Sequence, residues 1–149
     1  MNTLQNDQTA ALELDEIEQD LKGKRVIIIG SGADNDGRRM KERIDSNYYD
    51  YVIRVNKHYG SPDDTGSRTD IIITRWHQWI AKGQKFFTED DLAQVKKVVI
   101  INQSVGISNA EIEQGKVEVG HSKVSAGLYA ALWCLNRGVK EIDLIGYGY

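Results

Sequence analysis

Cysteine and proline are almost missing from this chain of 149 residues, which has one of each, Cys134 and Pro62. A single cysteine excludes an intrachain disulfide and any zinc centre built on paired thiolates, and Cys134 reads as a buried apolar residue. No proline-rich linker, internal repeat or low-complexity tract divides the sequence. An excess of one charge is also missing, because 19 Lys and Arg stand against 22 Asp and Glu without runs of like sign. That balance argues against a nucleic-acid partner, which calls for a basic footprint. No apolar stretch approaches the roughly 20 residues of a membrane span. Residues 1–24 are polar and acidic, without the basic end and apolar middle of a secretory signal. These features predict a cytoplasmic protein with no membrane span and, at this length, a single domain with one core.

What is present is an alternation of apolar runs and helical patterns. Ala10, Ala11, Leu14, Ile17 and Leu21 recur at helical spacing and predict an amphipathic leading helix over 1–23, packed on the core or on a partner. Arg25 to Ile29 is apolar and β-branched after its first residue, and it predicts a strand buried on both faces, hence a parallel sheet. Tyr51 to Val55, Asp70 to Ile73, Val98 to Ile101 and Ile142 to Ile145 repeat that signature. Between them, Thr88 with Asp91 has the form of a capping box. Val124 to Leu135 predicts a helix with Leu128, Ala131, Leu132 and Leu135 on its apolar side. The alternation predicts a doubly wound α/β domain over 24–149, with the polar loop Gly60 to Ser67 as a rim of its site.

Three stretches are suited to chemistry. Gly30-Ser31-Gly32-Ala33-Asp34-Asn35-Asp36-Gly37 follows the first strand, where glycines let the backbone turn and bring amides near a nucleotide. It matches a dinucleotide fingerprint only in part: Asn35 stands where the third glycine belongs, and Arg54-Val55-Asn56 lacks the acidic residue that holds the ribose of NAD. Asp34 and Asp36 read either as turn residues on a solvated loop or as a carboxylate pair for a divalent metal. Asn56 closes the second strand with an amide that donates and accepts at once, as reading a pyrimidine or ribose requires; a strand-ending turn residue is the other reading. Ser122-Lys123-Val124-Ser125-Ala126-Gly127 leads into a helix, whose free amides attract anions. An ordinary serine N-cap accounts for Ser125 equally.

In this order the stretches resemble the sialyltransferases, both the family 29 enzymes and the bacterial family 42 enzymes, from about Lys24 onward. Val26-Ile27-Ile28-Ile29-Gly30-Ser31-Gly32, Ile44-Asp45-Ser46, Asp50-Tyr51-Val52-Ile53-Arg54-Val55-Asn56 and Thr65-Gly66-Ser67-Arg68-Thr69-Asp70 are together similar to the long sialyl motif. Val124-Ser125-Ala126-Gly127-Leu128, followed by Val139 to Gly148, is similar to the short one. The resemblance implies a Rossmann-like, doubly wound, mostly parallel sheet in one domain. It further implies a CMP-sialic acid or related CMP-sugar donor, a glycan acceptor, no metal or other cofactor, and inversion at the anomeric carbon. By position, Gly30, Ser31, Gly32 and Asn56 would hold the CMP moiety. Ser125, Ala126 and Gly127 would lie against the donor's ribose, phosphate or carboxylate, and Lys123 near the reacting centre. Tyr147 and Tyr149 fall near the phosphate-binding tyrosines of family 42. Two departures bear on the donor: Ser31 replaces the motif's asparagine, and Ala126 replaces its second hydroxyl.

The families' general-base histidine lies beyond the short motif, whereas this chain stops at Tyr149, so the expectation is a domain that binds donor without a complete catalytic set. Of His58, His77 and His121, the last directly precedes the donor turn and is the candidate catalytic residue. Arg68 beside Asp70 predicts a structural ion pair. Trp76 and Trp79 predict core or lip positions, with a sugar-stacking wall as the alternative. Two other functions remain: a non-catalytic CMP-sugar-binding domain, and another Rossmann-like enzyme using NAD or S-adenosylmethionine. The oligomeric state, a homo-oligomer included, is left open.

Overall fold

The computed structural model describes residues 19–58, 60–75, 87–102 and 117–148. Among these, β1 (Arg25–Ile29), β2 (Tyr51–Val55), β3 (Ile71–Thr74), β4 (Lys97–Ile101), β5 (Val117–Gly120) and β6 (Glu141–Ile145) form one sheet in the order β5-β4-β3-β2-β1-β6. Every neighbouring pair is parallel. The helices are short, α1 (Lys41–Asp45), α2 (Pro62–Thr65) and α3 (Glu89–Gln94), except α4 (Ala126–Asn136). The domain is a Rossmann-like, doubly wound α/β fold, and no helix among the described residues is long and apolar enough to cross a membrane.

The apolar runs form strands because both faces of the sheet are covered, which a parallel sheet requires. On one face, Val26, Ile28, Ile53, Ile71, Ile73, Val99 and Ile101 pack under α4 and Leu21. On the other, Ile27, Ile29 and Val52 pack under Ile44 of α1, and Ile72, Val98 and Ile100 pack with Phe87 and Val95 at either end of α3. Right-handed crossovers explain this division. Steps from β1 out to β5 move one way and leave their connections on one face, while the return from β5 to β6, past β1, places α4 on the opposite face.

Two expectations change. The side of α4 that faces the sheet is Ala126, Ala130, Trp133 and Cys134, whereas Leu128, Leu132 and Leu135 are 49%, 44% and 59% exposed. This helix is apolar nearly all round, so periodicity does not choose its face. The two alanines and the cysteine let the backbone approach the sheet more closely than leucines would. In addition, β5 has no counterpart among the predicted strands. It is an edge strand whose Glu118 takes hydrogen bonds from Trp133 and Arg137, so it needs no continuous apolar run. Within the leading segment, Leu21 is fully buried; Ala10, Ala11, Leu14 and Ile17 lie outside the described residues.

Candidate functional site

The strand order reverses beside β1, which has β2 on one side and β6 on the other. In doubly wound sheets the crevice at the carboxyl ends of such strands is where ligands bind. Three of the stretches singled out above converge there. The amide of Gly30 donates to Ile145 O at 2.8 Å and that of Gly32 to Gly146 O at 2.6 Å. The Gly148 amide donates to Asp34 Oδ1 at 3.0 Å. A Cβ on Gly30 would lie 2.6 Å from Gly146 O and 3.0 Å from Tyr147 Cε1, and one on Gly127 would strike the same Tyr147 ring. Gly30 and the first turn of α4 therefore both meet the Tyr147 ring. The glycines serve first to let the turns after β1 and β6 touch: the Gly30 amide donates to the last residue of β6 and the Gly32 amide to the turn that follows it.

The other named residues lie around this point. Ser31 is partly exposed, Lys123 is exposed and Ala126 is buried. Ser125 caps α4, its hydroxyl accepting from Leu128 N at 3.3 Å. Asn56 has φ 66°, a conformation that asparagine tolerates better than most residues, and its Oδ1 accepts from Arg75 N at 3.4 Å, tying the end of β2 to that of β3. Asn102, which the sequence reading passed over, does the same between β4 and β5. Also at φ 66°, it brackets Ser122, donating to its carbonyl at 2.6 Å and accepting from its amide at 2.8 Å. An asparagine directly after a buried strand is the signal common to both. Tyr149, His77, Trp76 and Trp79 lie outside the described residues.

Asn35, which stands where a third glycine would belong, is fully buried. Its Nδ2 donates to Gly30 O at 2.9 Å, while its Oδ1 has no hydrogen-bond partner among the described residues. A buried amide thus pins the turn after β1 and leaves one acceptor unsatisfied beside it, an uncommon state for a buried polar atom. Asp36 is exposed and Asp34 pairs with Arg38 at 2.8 Å. Among the described residues no group of three or more His, Cys, Asp or Glu side chains is placed to hold a metal ion. Arg68 pairs with Asp70 at 3.0 Å and donates to the carbonyls of Ser46, Tyr49 and Asp50, the structural role expected for it.

The histidines separate sharply. His121 is exposed, and its ring makes no hydrogen bond among the described residues. His58, three residues past β2, meets Asp91 with Nδ1 2.7 Å from Oδ2. Asp91 is the N3 residue of the capping box that opens α3, as Thr88 and Asp91 predicted. Its other oxygen accepts from Thr69 Oγ1 at 2.6 Å, and Thr69 Oγ1 in turn accepts from Arg54 Nε at 2.8 Å. Burial pushes the Asp91 carboxyl up, but hydrogen bonds from His58, Thr69 and the Thr88 amide outweigh it and hold the group well below the usual carboxylate range. The chain Arg54–Thr69–Asp91–His58 was not legible in the sequence, where Asp91 signalled only a helix start.

A pH dependence follows. The folded value for Asp91 lies below the unfolded value of about 4, so its contribution is complete above about pH 4 and is lost as pH falls toward the folded value. Asp91→Asn is therefore expected to destabilise by about 2 kcal/mol at pH 7, with the gap to wild type narrowing below about pH 4. Urea titrations at pH 7 and pH 3 measure it, and a gap of the same size at both would show that the carboxylate charge is not what stabilises the network.

A separate cleft of about 270 Å³, bordered by Lys24, Arg25, Tyr48, Asp50 and Glu141, opens at the amino ends of β1, β2 and β6, at the opposite edge of the sheet from the switch point. Comparison with protein-family models and with curated proteins finds no match to this chain.

Proposed function

We propose that this chain is the donor-binding domain of a sialyltransferase-like glycosyltransferase, taking CMP-sialic acid or a related CMP-sugar at the crevice beside β1, without a metal and with inversion at the anomeric carbon. The observation that carries this reading is the meeting of Gly30 and Gly127 on the Tyr147 ring. Residues from both sialyl-like stretches, distant in sequence, form one lip at the carboxyl edge of the sheet. In this reading Ser31 and the amide group of Asn56 face the cytidine and ribose. The start of α4, with Ser125, Ala126 and Lys123, supplies a positive field for the phosphate or carboxylate. Tyr147 steadies the leaving phosphate, and a glycan hydroxyl attacks from the open side. The end of β2 carries Asn56 in place of an acidic residue, which disfavours NAD.

The direct test is ligand-dependent stability. CMP at about 100 times its Kd is expected to add about 2.7 kcal/mol to the folded state, a rise of several degrees in Tm. Chelator should leave that rise unchanged, and UDP-sugars and NAD should give none. A rise that requires magnesium or manganese, or that NAD reproduces and CMP does not, refutes the reading.

A further inference from the structure

We propose that His58 is the proton acceptor of this site, its Nδ1 held by Asp91 so that Nε2 takes the proton of the attacking hydroxyl. The proposal rests on the donor-binding reading above and assigns it a catalytic residue that neither sialyl-like stretch contains. Asp91, held far below its ordinary range, is ionised at neutral pH and can only accept. At 2.7 Å the proton of that bond must therefore sit on His58 Nδ1. The neutral ring is then fixed as the Nδ1–H tautomer with the lone pair on Nε2, the arrangement an oriented base requires. Nε2 makes no hydrogen bond among the described residues and is not one of the sealed, unpartnered side-chain atoms. The ring keeps 11% of its surface exposed, so it is largely packed but still open to solvent.

Position supports the same role. His58 follows the carboxyl end of β2, the neighbour of β1, and two residues later a Cβ on Gly60 would come 3.8 Å from Asn35 Cβ in the turn after β1. The segment carrying His58 thus borders the turn that the donor reading assigns to CMP. Among the described residues, the charged groups that hydrogen bonds join to the ring are Asp91 in direct contact and Arg54 behind Thr69, so the imidazolium formed on proton transfer has an anion on its far nitrogen. Among the described residues His121 has no such partner.

In the step proposed, the oxygen of water or of the acceptor hydroxyl forms a bond to the anomeric carbon as its proton passes to His58 Nε2. The bond from that carbon to the phosphate oxygen breaks, and its electron pair leaves with CMP. His58 then returns the proton to solvent. Asp91 touches neither substrate nor product and is a positioning residue.

His58→Gln keeps an amide that can donate to Asp91, so the fold is maintained while the base is removed. With the full chain, CMP affinity should stay within about twofold of wild type, while hydrolysis of CMP-sialic acid falls by at least about 100-fold. Imidazole should partly restore hydrolysis to His58→Ala. Independently of turnover, long-range proton–nitrogen correlation spectra of the wild-type histidine rings should show His58 as the Nδ1–H tautomer. Its Nε2 resonance should shift when CMP-sialic acid is added, and Asp91→Asn should abolish the single tautomer. The proposal is overturned by unchanged hydrolysis in His58→Gln, by an Nε2–H tautomer, by a ring resonance indifferent to bound donor, or by donor binding with no hydrolysis above the buffer rate. It is also overturned if activity is lost in His121→Ala and kept in His58→Gln. If neither CMP nor CMP-sialic acid binds, the donor reading itself falls and takes this assignment with it.

Discussion

Arg54→Ala is expected to lower the unfolding free energy by about 3 to 5 kcal/mol, a large share of what holds a domain of this size together. Arg54 lies on a central strand and is fully buried. Its Nε donates to Thr69 Oγ1 at 2.8 Å and its Nη2 to the carbonyls of Thr65 and Arg68, each at 2.9 Å, while Nη1 has no hydrogen-bond partner among the described residues. Burial pulls the guanidinium down to about 10, against the opposing pull of Asp91, Asp45 and Asp70. Truncation would leave those carbonyls unsatisfied, remove the countercharge from Asp91 and open a cavity beneath the connection from β2 to β3. Arg54→Met restores apolar volume without charge and should lose less than alanine. Arg54→Lys keeps the charge but not the planar fork and should fall between wild type and alanine. Urea denaturation of the three variants tests this ranking. A loss below about 1 kcal/mol for Arg54→Ala would mean that water or rearranged side chains satisfy the site.

The second large effect is expected at Gly32. A Cβ there would lie 2.5 Å from Gly146 O and 2.6 Å from Gly148 O. Both are backbone atoms of the turn after β6, so relief requires the two turns to separate and the 2.6 Å bond from Gly32 N to Gly146 O to lengthen. Gly32→Ala is expected to cost about 1 to 3 kcal/mol of stability. It should also weaken CMP binding by about tenfold or more, because parting the two turns draws Tyr147 away from Gly30 and Gly127. Gly148→Ala is the control: the three nearest atoms to its Cβ would all belong to the Asp34 side chain, at 3.0 to 3.3 Å, which can rotate aside. Calorimetric titration with CMP and thermal melts of both variants separate the cases. Equal affinity in Gly32→Ala and wild type would place the nucleotide elsewhere.

Much of this molecule was legible before the fold was known. Arg25 to Ile29 and Tyr51 to Val55 form strands with those boundaries, because a strand buried on both faces must be apolar along its whole length and such runs have little else to become. The Thr88–Asp91 capping box is a local signal and formed as expected. The Arg68–Asp70 pair is near-neighbour chemistry too. The order of the glycine turn, Asn56 and the helix at Ser125 along the chain was enough to suggest one site.

Only the tertiary structure decided what depends on residues far apart in the chain. The sequence by itself determined which segments are strands, that they lie parallel, and where turns and a capped helix begin, since apolar runs, glycines and capping residues act over a few neighbouring positions. It did not determine which face of α4 is buried, because an all-apolar helix is oriented by how closely small residues let it approach the sheet. Nor did it determine that the Gly30 and Gly32 amides donate to the end of β6 and the turn after it, or that Asn35 is sealed beneath the turn after β1. His58 gains its oriented ring from Asp91, which comes from a different connection of the sheet. Such pairings are set by strand order and packing, whose information lies in contacts between segments and not in any one of them.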